Sequence, residues 1–139
     1  MPPRLPALLS RLRRRAPEPP HVSPVRFPCL LVDEDGWLLP CADDAELQQL
    51  TEPGFTDEIA AAYDAAARPL EVHVIGRRET IALRPVAEPR PEQLDAHVRA
   101  YFHHWTDREA PGVVQPVPRY VAAVARAVRD TPSRRRRRP

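Results

Sequence analysis

The chain has 139 residues, with 21 basic residues, all of them arginine, against 19 Asp and Glu. Its four glycines leave almost no room for a phosphate-cradling loop, its two cysteines make no disulfide framework, and no apolar run approaches the ~18 residues of a membrane span. With Arg4, Arg11, Arg13, Arg14, Arg15 and the C-terminal Arg134, Arg135, Arg136, Arg137 and Arg138 set aside, 11 arginines face 19 carboxylates, so an acidic body lies between two basic ends.

The first 25 residues read as a basic, proline- and arginine-rich tail. Leu5, Leu8, Leu9 and Leu12 fall on one helical stripe, but the stripe is barely two turns long and prolines flank it. The composition predicts a disordered segment that cannot repay its ordering entropy. It has no apolar region of the kind a secretory signal needs, which points to the cytoplasm.

Residues 27–41 predict a first hairpin. Leu30, Leu31 and Val32 are strand-like, as are Trp37, Leu38 and Leu39, and Glu34-Asp35-Gly36 suits a three-residue loop with Gly36 left-handed. That loop sets Cys29 opposite Cys41; a two-residue loop would leave them diagonal. Either way the thiols are neighbours, a candidate redox pair by disulfide geometry. Buried free thiols are the default in a reducing compartment. Asp33, Glu34 and Asp35 crowd the tip without calcium-loop spacing. Asp43, with Glu46 three residues on, opens a short helix that Pro53-Gly54 stop.

Residues 56–69 admit two readings. Thr56, Asp57, Glu58 and six alanines suit a capped helix. Alternatively Ile59 to Tyr63 is a strand, with residues 64–68 as a loop. The run Tyr63-Asp64-Ala65, followed by Arg68-Pro69-Leu70-Glu71, resembles a strand–turn–strand phrase of small bacterial domains that carries glycine at the position of Ala67. The resemblance implies the strand reading and no activity.

Residues 70–86 alternate apolar and polar on both sides of Gly76-Arg77-Arg78-Glu79, the pattern of a hairpin with one buried face. Pro91 opens a helix with Leu94, Val98, Tyr101 and Trp105 on one stripe. A last helix is expected over 119–129, with Tyr120, Val121, Val124 and Val128 on one side. The prediction is an α+β fold: a small antiparallel sheet of β-hairpins covered by one or two helices, with arginine-rich disordered ends. The single domain spans 26–130, helix 119–129 lies at its periphery, and a polyarginine tail occupies 131–139.

For function, the nucleophile-elbow, dinucleotide, phosphate-loop and zincin motifs are all missing, and no cofactor or metal is implied. His97 and His104 share a helix face, but with Cys29 and Cys41 they lack zinc-motif spacing. Arg134 to Arg138 form a permanently charged run suited to phosphate contacts, as an anion- or nucleic-acid-binding segment. Without interleaved aromatics it has no stacking platform for sequence-selective recognition. The run also reads as a solvated tail shielding the acidic body. The leading expectation is a non-catalytic accessory domain that binds an unknown protein partner through its acidic body, with arginine ends adding nonspecific polyanion attraction. Two alternatives stand beside it: an immunity- or antitoxin-like inhibitor of a basic protein, and a small enzyme using His73 and His104.

Overall fold

The computed structural model describes residues 24–51 and 53–134. The N-terminal leucine stripe and Arg135 to Arg138, both expected to belong to disordered ends, lie outside the described residues. Strands β1 (Cys29–Asp33) and β2 (Leu38–Cys41) pair antiparallel, with Cys29 opposite Cys41 and Leu31 opposite Leu39. The loop is the three-residue one: Asp33 N–H donates to the Trp37 carbonyl at 3.0 Å, and Gly36 takes φ +82°. Strand β3 (Ile59–Tyr63) pairs with the other side of β1, giving the order β2-β1-β3. Residues 59–63 are therefore a strand and not a helix. Alanine propensity yields to the hydrogen bonds and burial that the edge of β1 offers.

The expected second hairpin forms as β4 (Leu70–Ile75) and β5 (Thr80–Pro85), and it makes a separate two-stranded sheet. The strands thus divide into two antiparallel sheets. Pairing between β3 and β4 stops at a single bridge, Tyr63 to Pro69. Pro69 has no N–H to return a bond, and its carbonyl accepts instead from Val86 N–H at 3.0 Å.

Three α-helices complete the fold: α1 (Asp44–Leu50), α2 (Pro91–Trp105) and α3 (Val117–Asp130), with a 3₁₀ helix at Pro53–Glu58. Asp43 caps α1 by accepting from Glu46 N–H at 2.8 Å. The Glu46 carboxylate reaches back to Ala42 N–H at 2.7 Å, a capping-box arrangement displaced by one residue.

The alternation of β1 explains the layering. Leu30 and Val32 face α2 and α3, where Leu94, Val98, Tyr101, Tyr120, Val121 and Val124 complete the larger core. Cys29 and Leu31 face the other way, against Leu47 of α1 and Leu70 and Ile81 of the second sheet. A strand covered on both faces reads as a continuous apolar run, as Cys29 to Val32 does. Helix α3 belongs to the larger core, with five buried residues, and is not peripheral. The packed body continues past residue 130, because Thr131 and Ser133 are buried. Val74, at the projecting tip of β4, is 40% exposed despite its place in the alternation. Gln48 covers part of the edge of β5: its side-chain amide donates to the Ile81 carbonyl at 2.7 Å and accepts from Ile81 N–H at 3.0 Å.

The turn at 64–68 ties these parts together. The Asp64 side chain, fully buried, accepts from Ala66 N–H at 2.9 Å, Arg68 N–H at 3.0 Å and Arg68 Nε at 2.9 Å. Arg68 Nη2 reaches the same carboxylate at 2.6 Å and the Pro24 carbonyl at 2.8 Å. Ala67 sits at φ +59°, the position where the resembling phrase carries glycine, and its carbonyl accepts from Arg90 N–H at 2.8 Å at the entrance to α2.

Replacing Asp64 by Ala removes the carboxylate partner of the Arg68 guanidinium and leaves the N–H groups of Ala66 and Arg68 unsatisfied. The expected loss is about 3 kcal/mol of unfolding free energy in chemical denaturation. Ala67→Gly changes stability by less than ~1 kcal/mol in the same assay. Relief of the left-handed conformation, about 1–2 kcal/mol, opposes a lost buried methyl of ~0.8 kcal/mol and a chain-entropy cost of about 0.5–1 kcal/mol.

Candidate functional site

The C-terminal end of α2 is where the sequence-predicted charged elements converge. Trp105 is the junction. Its indole Nε1 donates to the Asp35 carbonyl at the β1–β2 tip at 3.3 Å, and its own carbonyl accepts from Arg134 N–H at 2.7 Å. Trp37 packs edge-on against Trp105 and Tyr101 at 5.7 and 5.3 Å, which fixes the hairpin tip to the helix. The Arg134 side chain is tied down as well, with Nε and Nη2 donating to Asp107 Oδ1 at 3.0 and 2.6 Å. Of the predicted run, Arg134 is therefore anchored to the body by main chain and side chain, and Arg135 to Arg138 follow it in sequence.

The acidic tip lies at the same end. Asp33 is occupied with the turn itself, accepting from Asp35 and Trp37 N–H groups at 2.9 Å each. Glu34 and Asp35 are exposed. Glu34 N–H donates to the Glu58 carbonyl at 2.9 Å, which brings Asp57 and Glu58 of the 3₁₀ helix beside the tip. Four exposed carboxylates thus form one acidic surface a short way from the start of the arginine run.

Cys29 and Cys41 are free, fully buried and directly opposed across β1 and β2. Opposed antiparallel residues have Cα atoms about 4.5–5.5 Å apart, inside the range a disulfide spans. Burial nevertheless pushes the Cys41 thiol up to about 12 and the Cys29 thiol higher still, with nearby carboxylates adding to the effect. Both thiols stay protonated, and the thiolate is the reactive form.

The two histidines of the enzyme alternative, His73 and His104, lie on different elements. His73 pairs with Glu71 on the second sheet at 3.0 Å. His104 stacks edge-on against Trp105 at 4.5 Å. His97 is half-buried against Tyr63 at 5.8 Å, and burial lowers its pKa. The structure thus separates His73 from His104 and does not assemble them with Asp33. Among the described residues no group of three or more His, Cys, Asp or Glu is arranged to hold a metal, and no helix is long and apolar enough to cross a membrane.

Sequence reasoning missed a different set: Asp95, Tyr120 and Arg99. Tyr120 Oη donates to Asp95 Oδ1 at 2.7 Å and Arg99 Nε to Asp95 Oδ2 at 2.7 Å. The i,i+4 spacing of Asp95 and Arg99 was legible on a helix. The tyrosine from α3 was not. No known protein family, curated protein or solved structure matches the chain.

The thiols give the direct check on this geometry. Cys29 and Cys41 are expected to resist Ellman's reagent in the native protein at pH 8, reacting only as fast as the chain unfolds, and to release two equivalents of chromophore at once in guanidinium. Rapid native reaction of either thiol contradicts the burial described.

Proposed function

We propose that the protein is a non-catalytic binding protein. The exposed carboxylates at the β1–β2 tip and the 3₁₀ helix would engage a basic protein partner, and the arginine run beginning at Arg134 would add nonspecific attraction to polyanions. The observation that carries the reading is the double anchorage of Arg134 on Trp105 and Asp107. It gives the four following arginines a set point of departure from the body. A guanidinium run contacts phosphates through multiple N–H donors and releases condensed counterions when it does so. The acidic surface beside it repels a polyanion from the hairpin tip. Complementarity of the same surface to a basic protein would favour fast, salt-sensitive encounter. That property is shared by the inhibitor reading, which differs only in what the partner does.

The test is a salt series with generic duplex DNA and single-stranded RNA. It compares the full chain with a variant in which Arg135, Arg136, Arg137 and Arg138 are all replaced by Gln, leaving the packed body through Arg134 intact. Binding by the full chain, with the log–log salt slope reduced by about 3 in the variant, is the expected result. Equal slopes, or no binding by either protein at low salt, overturn the polyanion part of the proposal.

A further inference from the structure

A groove of about 620 Å³ runs between α2 and the loop 106–113. One wall carries Arg99 and His103, one turn apart on α2, and the loop contributes Arg108 and Glu109. Phe102, Ala110, Pro111 and Val113 supply apolar lining, and Val113 is 46% exposed. The volume lies within the roughly 300–1,000 Å³ of small-molecule sites, and an apolar lining with a few placed polar groups is their usual make-up.

What distinguishes this groove is how Arg99 is held. Asp95 lies beneath it, with its side chain only 7% exposed, and both oxygens are occupied: one by the fully buried Tyr120 hydroxyl, the other by Arg99. A link between α2 and α3 needs only the tyrosine and the carboxylate. Here the carboxylate's second oxygen grips Nε and Nη2 of a guanidinium that is itself 74% exposed. The Nε–Nη2 edge of the planar fork is thereby fixed, and the same residue lines the groove. A preoriented guanidinium is suited to bidentate capture of a carboxylate or phosphate. On the lining Arg99 and Arg108 stand against Asp95 and Glu109, so the formal charges balance and capture of an anion rests on oriented guanidinium N–H donors rather than on net positive charge.

We propose that this groove binds a small organic anion with an apolar body, its charged group held by Arg99 and Arg108 and its body lying on Ala110, Pro111 and Val113. Asp95 and Tyr120 are positioning residues for Arg99. The inference rests on Arg99 and Arg108 and does not depend on the arginine run.

The probe is 8-anilinonaphthalene-1-sulfonate, an aromatic anion, titrated against the full chain by fluorescence and calorimetry, with neutral N-phenyl-1-naphthylamine in parallel. Arg99→Gln and Arg108→Gln, both at exposed positions, should each weaken the anionic probe at least fivefold and leave the neutral one within twofold. Tyr120→Phe should weaken the anionic probe selectively, with circular dichroism checking that the fold is retained. Replacing Arg135 to Arg138 by Gln should leave probe affinity unchanged, which separates this site from the polyanion arm. Failure of the wild-type chain to bind the probe at a defined stoichiometry overturns the assignment. So does equal affinity of the Arg99 and Arg108 variants for it, or equal loss of both probes.

Discussion

The fold depends on one buried carboxylate. Asp64 gathers the N–H groups of Ala66 and Arg68 and the Arg68 guanidinium into a single turn. A buried charge is tolerable only when it is paired and its remaining lone pairs are satisfied, and here the satisfying groups come from the elements that must be joined. Tyr63, on one side of the turn, belongs to the three-stranded sheet, and Pro69, on the other, leads into the hairpin sheet. Arg68 holds the entering chain at Pro24, and the Ala67 carbonyl receives the start of α2. Two sheets, a helix and the chain entrance therefore take their relative positions from five residues.

Much of this was legible because the local rules and the tertiary structure agree. The hairpin at Gly36 and the one at Gly76 follow from alternation and turn chemistry, and both glycines take positive φ. The sequence left the loop length open between three residues and two, and the three-residue loop of the structure sets Cys29 against Cys41. The helix from Pro91 and its stripe follow from the period of the apolar residues and the proline in the first turn. Where two readings competed, at 56–69, local propensity and tertiary demand disagreed, since alanines favour a helix but the edge of β1 offered pairing and burial. The resemblance of Tyr63-Asp64-Ala65 and Arg68-Pro69-Leu70-Glu71 to a strand–turn–strand phrase now has a physical content. The aspartate and arginine of the phrase form the turn's ion pair, and Ala67 occupies its left-handed position without being glycine.

What the sequence hid were contacts between distant residues. Nothing in the chain pairs Gln48 with the edge at Ile81, Glu46 with Arg129, or Tyr120 with Asp95. The Arg129 guanidinium, hydrogen-bonded to Glu46, holds that carboxyl below its usual range and clips α1 to α3. The division of the strands into two sheets was hidden for the same reason, because it turns on where the Pro69 carbonyl finds its donor. Charge partition, by contrast, was visible as composition. The structure adds that the acidic tip and the start of the arginine run meet at Trp105, a juxtaposition that composition cannot express.

Native-state hydrogen exchange at the turn addresses the central claim most directly. If Asp64 is the point on which the sheets and α2 depend, the amides of Ala66, Arg68 and Arg90 open only with the whole molecule. Their exchange free energies should then match that of Leu31 at the centre of the three-stranded sheet. Exchange of these amides through a local opening several kcal/mol below the global value, with Leu31 still protected, would show that the turn is dispensable to the packing and would contradict the account.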